Sequence, residues 1–243
     1  MSLFLSITIL AFAPQIPHEN EQPPAQAEKP QMTTNFTTFD QLADSLSSRV
    51  QTGTLLFSKG DCLAVRIYTK SAYTHVAMVV IRNGEPLVYD SMNGTGARCL
   101  TLKNYLNTQR PATIHIFQPK TKFNPSMTAE YEHYLDQKLG TPYSIKHHLT
   151  GSRAKGIHCA EYAIDALSAC NLMKANAPAK VSPASLVTGI VKSDRYTPSI
   201  TFELKRPPRV SEKSSSWCHQ LWIDTKNCTS ACCIKLRGWV FCQ

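Results

Sequence analysis

One stretch, Thr74 to Ile81 (THVAMVVI), is apolar on both faces and constrains the fold of this chain more than any other feature. A strand that offers neither face to water belongs inside a sheet. Arg82-Asn83-Gly84-Glu85 follows at once, and Asn-Gly is the strongest short hairpin signal because both positions accept a positive φ. Residues 86–91 (PLVYDS) return as the partner strand, which Asn93-Gly94-Thr95-Gly96 ends. With the turn centred on Asn83-Gly84, opposing residues have numbers that sum to 167, so His75 faces Met92 and Ala77 faces Asp90. Paired residues share a sheet face, and so do alternate residues along a strand. Asp90 therefore lies on the face of His75, on a diagonal of about 7–8 Å between Cα atoms. A slip of one residue would send it to the other face. The register thus brings a carboxylate within reach of an imidazole at the mouth of a buried strand.

The remaining elements bracket this hairpin. Phe39, Leu42, Ala43 and Leu46 recur at helical spacing within Phe36–Val50, with Thr38 or Asp40 as the cap. Gly53 opens a strand (TLLFS) that breaks at Lys59-Gly60, and residues 61–68 read as a second strand. A short helix is expected over 100–108 and a half-buried strand over 113–118. An amphipathic helix over 128–139 has Thr128 as its cap and Gly140 as its stop. Cys159 to Met173 is the best helical pattern, with Ala160, Ala163, Ile164 and Leu167 as its apolar stripe and Asp165 facing away. Ser182-Pro183 starts one more helix. Strands that come early and helices that bracket them argue for an α+β fold with a central antiparallel sheet.

Composition limits the partners. The chain has 243 residues, 42% of them hydrophobic and 18% charged, which is a globular balance. Its net charge of +9 is spread without a Lys/Arg block, and no motif for reading nucleic acid is present, so no nucleic-acid partner is expected. No apolar run approaches the roughly 20 residues that span a bilayer. Residues 2–13 (SLFLSITILAFA), with Ala25-Gln26-Ala27 behind them, resemble a secretory leader, so export to the periplasm or medium is expected. Five prolines between Pro14 and Pro30 make residues 1–35 a leader and linker. Residues 36–205 form the domain, and 206–243 a basic tail holding Cys218, Cys228, Cys232, Cys233 and Cys242. The spacing of these cysteines matches no standard zinc pattern, so disulfide pairing is expected in an exported chain. No metal or cofactor is expected, and the chain reads as a monomer.

Cys159 stands where a helix begins. Unpaired N–H groups and the helix dipole there favour a thiolate, and the same N–H groups suit an oxyanion. Taken singly, Cys159 also reads as a small buried hydrophobe and His75 as a satisfied structural histidine, while the register offers His75 and Asp90 together as a base and the group that orients it. His158 is expected at the surface or behind the site, Glu161 as a favourable acid of the first turn, and His147-His148 as a loop pair.

In order, the chain reads Gly53 to Phe57 (GTLLF), THVAMVV around His75, Asn-Gly before Asp90, Leu-Gly-Thr-Pro-Tyr-Ser around Tyr143, and Cys-Ala-Glu-Tyr from Cys159 to Tyr162. This order resembles the NlpC-like cysteine hydrolase superfamily, in its circularly permuted papain-fold branch of YiiX-like amidohydrolases and the lecithin–retinol acyltransferase group. Histidine and acid precede the cysteine, the reverse of ordinary papain-like enzymes. Many members have Cys-Ser-Glu where this chain has Cys-Ala-Glu, and often glutamate at the position of Asp90. The resemblance implies a permuted papain-like fold, Cys159 as nucleophile, His75 as base, and Tyr143 as an oxyanion or substrate donor. It also implies a thiol peptidase or amidase acting on an amide such as a peptidoglycan-type peptide. The same site chemistry serves a lipid acyltransferase or thioesterase, and the same scaffold an inactive binding module.

Overall fold

The structure, a computed structural model, describes residues 33–59, 73–146, 150–151 and 155–204. The expected strand at 61–68, His147-His148, the leader before residue 33 and the tail cysteines lie outside these residues. Along the described chain come β1 (Thr33–Phe36), α1 (Phe39–Ser47), β2 (Leu55–Lys59), β3 (Tyr73–Arg82), β4 (Glu85–Met92) and β5 (Gly96–Thr101). They are followed by α2 (Leu102–Gln109), β6 (Thr113–Phe117), α3 (Pro125–Gln137), α4 (Cys159–Ala169), a 3-10 turn (Pro178–Lys180), α5 (Pro183–Ser193) and β7 (Ile200–Leu204).

The strands form one sheet in the order β1-β7-β6-β2-β3-β4-β5. Every neighbouring pair is antiparallel except β1 and β7. β3 is central, and Val76 to Val80 are all fully buried, as a strand apolar on both faces requires. Its turn into β4 has Asn83 at φ 54° and Gly84 at φ 82°, a primed two-residue hairpin. The observed register, Met78 opposite Tyr89 through Arg82 opposite Glu85, is the expected one.

The sheet has an apolar layer on each side. Leu55, Phe57, Val76, Met78 and Tyr89 pack with α3, α4 and α5. Leu56, Ala77, Val79, Val88 and Ile114 pack with α1 and α2. α4 is buried along its whole first nine residues, Cys159 to Leu167. Asp165 does not face away: it is 8% exposed and accepts from the Tyr134 hydroxyl at 3.0 Å.

Other details differ from the sequence reading. β1 begins at Thr33, inside the expected linker, and pairs with β7 at the sheet edge. β5 and β7 were not anticipated as strands. α3 begins at Pro125 with Asn124 as cap, its side chain accepting from Met127 N–H at 2.9 Å, so Thr128 lies within the helix. An Asn cap followed by proline at the first helical position satisfies the helix start one turn earlier. α4 ends at Ala169, with Cys170 as its C-cap, short of the expected Met173.

Candidate active site

The β3–β4 ladder stops at Met78–Tyr89. Beyond it β3 stays paired to β2 through Ser58–His75 and, past a shift of register, Lys59–Tyr73, and β4 stays paired to β5 as far as Met92–Gly96. The two central strands therefore part where His75 and Asp90 stand. His75 Nε2 and Asp90 Oδ2 bridge the opening at 3.1 Å. Asp90 is 0% exposed and His75 8%.

His75 and Asp90 share the parity of Ala77, Val79 and Val88, which places them on the α1–α2 side of the sheet. The His75 ring stacks on Tyr105 of α2, centroids 6.5 Å apart at 24°. α4 covers the opposite side, so the nucleophile helix does not lie on the face these two share, as the sequence reading had it. Its first residue instead arrives at the parted end of the ladder. Ser91, next to Asp90, donates its hydroxyl to Ile157 C=O at 2.7 Å. Ile157 N–H donates to Pro142 C=O at 2.9 Å, and Ala97 N–H of β5 donates to Thr141 C=O at 2.8 Å. These bonds pin the lead-in to Cys159 against β4 and β5 and carry Tyr143 with it.

The Cys159 thiol and the His75 ring each shift the other's protonation. Burial works against the thiolate, but the charges of His75 and then His158 outweigh it and bring Cys159 down to about 6. Burial likewise opposes the imidazolium, yet the Cys159 charge and the Asp90 hydrogen bond raise His75 to about 10. Both shifts run toward thiolate and imidazolium, and both groups are nearly out of solvent. Burial also pushes on Asp90, and His75 and Arg98 keep its carboxyl below the usual carboxylate range. Tyr143 is half-buried, and burial followed by the neighbouring Cys159 charge raises its phenol, which places it near the sulfur.

His158 is not at the surface. It is 4% exposed and caps α4: Nδ1 accepts from Glu161 N–H at 3.3 Å, and Nε2 donates to Ala179 C=O at 3.2 Å. Glu161 is 2% exposed, with a carboxylate oxygen 3.8 Å from His158 Nε2, so it is a buried acid and not only a solvated member of the first turn.

The structure thus brings Cys159, His75, Asp90 and Tyr143 to one place. Three neighbours were missed by the sequence reading, Arg98, Gln109 and Tyr105, while His158 takes the place behind the site that was one of its two expected positions. Arg98 was readable in principle, because it sits opposite Asp90 in the β4–β5 ladder and Asn93 to Gly96 carries a turn signal. Among the described residues no group of three His, Cys, Asp or Glu side chains gathers as metal ligands, and the free cysteines are Cys99, Cys159 and Cys170.

The chain matches the family described as permuted papain-like amidase enzyme, YaeF/YiiX, C92 family, over residues 49–187, more than half of its length. It is similar in fold to a crystal structure described as metalloprotein yiiX from Escherichia coli O157:H7, with a TM-score of 0.50 at 17% identity. That likeness covers 65% of this chain and 99% of the other. No curated protein matches the chain.

Proposed function

This chain belongs to the permuted papain-like amidases of the YaeF/YiiX C92 family, and from that premise we propose that it is a cysteine hydrolase that cleaves an amide bond through a thioacyl-enzyme. Cys159 is the nucleophile, His75 the general base and acid, Asp90 the group that orients the imidazole, and Tyr143 a hydroxyl donor to the substrate. The observation that carries the reading is the buried His75–Asp90 contact at 3.1 Å, standing at the parted end of the β3–β4 ladder, together with a cysteine, Cys159, as the first residue of α4.

The steps follow from the geometry. Asp90 holds Nε2 of His75, which leaves Nδ1 as the nitrogen to exchange a proton with the sulfur. The thiolate attacks the carbonyl carbon, and the C–S bond forms as the oxygen gains charge. Within the first turn of α4, Glu161 N–H is taken by His158, while the N–H groups of Cys159 and Ala160 have no carbonyl within the helix to bind and suit that oxygen. The tetrahedral centre collapses, the C–N bond breaks, and the His75 proton goes to the leaving amine. Water then attacks the thioester and His75 takes its proton. The second proton of that water leaves with the acid product as Cys159 returns to the thiolate. Asp90 stays ionised throughout and supports the imidazolium.

The amide is of the peptidoglycan-peptide kind or another acylated amine, reached by a chain exported on its residue 2–27 leader and acting as a monomer. The test is an electrophilic thiol probe on the full chain, followed by a panel of peptide amides and lipid esters. Labelling should fall on Cys159 and drop about a hundredfold or more in His75→Ala, the usual contribution of a general base. Turnover of amides over lipid acyl transfer is the expected preference. Equal labelling of Cys159, Cys99 and Cys170, unchanged in His75→Ala, would make the chain an inactive scaffold.

A further inference from the structure

Asp90 is the most thoroughly buried charge of the site, at 0% exposure, and His75 is not its only partner. Arg98 stands directly opposite it in the β4–β5 ladder. Its guanidinium donates from Nε to Asp90 Oδ1 at 2.8 Å and from a terminal nitrogen to Oδ2 at 3.2 Å. Gln109 Nε2 from α2 reaches Oδ2 at 3.4 Å. One carboxylate oxygen is thus given over to Arg98, and the other is shared with His75. The planar fork of arginine suits this two-pronged hold, and its charge is permanent.

That permanence matters for the cycle just proposed, on which this inference rests. An isolated buried carboxylate is costly and takes up a proton instead of staying charged. His75 can neutralise Asp90 only while it is protonated. When the ring gives its proton to the leaving amine, Asp90 would be left without a countercharge if His75 were its only partner. Arg98 supplies that countercharge in both states of the ring. With thiolate, imidazolium, carboxylate and guanidinium together, the buried group is neutral, and removing the guanidinium leaves an excess negative charge.

We propose that Arg98 is a positioning residue of the active site, one that keeps Asp90 ionised and through Asp90 and His75 holds Cys159 as a thiolate. The groups that face this chain of four are Tyr105 and Gln109 on α2, His158 and Glu161 at the start of α4, and Tyr143 ahead of it. Tyr105 is fully buried and its hydroxyl has no hydrogen-bond partner among the described residues; burial first, then the charges of Asp90 and Cys159, raise its phenol while Arg98 opposes them, so the four groups lie in one low-dielectric space. A cross-strand pair that merely secured β5 would affect folding and leave the thiol's protonation alone.

The two roles separate in the pH dependence of iodoacetamide alkylation at Cys159, measured on the full chain by peptide mass. In the unmodified chain the rate should rise through an acid limb at about 6. Arg98→Met removes a cation and should move that limb up by about one pH unit, which makes alkylation on the acid side about tenfold slower. Arg98→Lys restores the charge and should return the limb most of the way. Arg98→Gln keeps a hydrogen-bond donor without the charge, and should behave like Arg98→Met if the latter does not fold. Independently of any variant, the Asp90 carboxyl carbon resonance of the unmodified chain should stay at its ionised position while Cys159 titrates. An unmoved limb in a folded Met or Gln variant, or an Asp90 resonance that titrates with Cys159, overturns the role of Arg98 and leaves the hydrolase reading standing. An unmodified chain with no acid limb and no faster alkylation than Cys99 or Cys170 overturns the hydrolase reading itself.

Discussion

His115 projects from β6 into the α3–α4 layer, beside the exposed Lys59 and edge-on to Tyr73 at 5.2 Å between centroids. Its Nδ1 lies 3.0 Å from the Thr201 hydroxyl. Burial, and then the Lys59 charge, depress its pKa to about 4. An unfolded histidine titrates at about 6.5, so between these values the unfolded chain binds the proton more readily. Stability from this residue is complete above about pH 6.5 and is lost as pH falls toward 4. Urea unfolding at about pH 7 and pH 5 should show the unmodified chain losing about 2 kcal/mol more than His115→Gln over that interval. An equal loss in both chains would mean that His115 takes its proton without unfolding. At this level the sequence was readable for His75 and Asp90, whose meeting follows from period and turn alone. It was not readable for Arg98 or Tyr105, whose places depend on an unrecognised edge strand and on the helix laid across it. For His158 a place behind the site was one of two readings, but its capping role was not foreseen, because the usual caps are serine, threonine, aspartate and asparagine.

The elements that were legible are those whose pattern is enforced on every side. β3 is walled by β2 and β4 and by both helical layers, so each of its positions is selected for burial. The edge strands β1 and β5, and β7 next to the edge, carry weak patterns: β5 reads GARCLT, without the alternation that reveals a half-buried strand. Glycine separates the hairpin elements from those that build the site. Gly84, at φ +82°, has open space around the position of a Cβ, so Gly84→Ala should cost only its backbone strain, about 1–2 kcal/mol. Gly96, at φ +73°, would place a Cβ 2.3 Å from Thr141 C=O, which is backbone and has no rotamer to yield. Gly96→Ala should therefore destabilise more than Gly84→Ala in urea, and it alone should change the alkylation rate of Cys159, since it displaces the segment that carries Tyr143. Equal losses with unchanged alkylation would show that the 140–144 segment does not support the site.

Across the whole molecule, the sheet divides two apolar layers that serve different ends. The α3–α4–α5 layer holds the helix that presents the thiol, while the α1–α2 layer backs the imidazole and carboxylate. Leu46, 0% exposed on α1, lies in the second layer but is not among the groups that face His75 or Asp90. Leu46→Ala should lower unfolding stability by about 2–5 kcal/mol through the cavity it leaves, while the acid limb of Cys159 in the folded protein stays where it was. A shifted limb would mean that the α1–α2 layer transmits its packing to the site. Local order along the chain was enough to specify the central hairpin, its register, the His75–Asp90 diagonal and the helix start at Cys159, because each depends on neighbours a few residues away. Which side of the sheet α4 covers, and how its first sulfur reaches a ring that points to the other side, depended on where β3 and β4 part and on the bonds from Ser91 and Ala97 that hold the lead-in to Cys159. Those contacts join segments far apart in the chain, and their free energy exists only once the sheet has closed, so no local pattern could carry them.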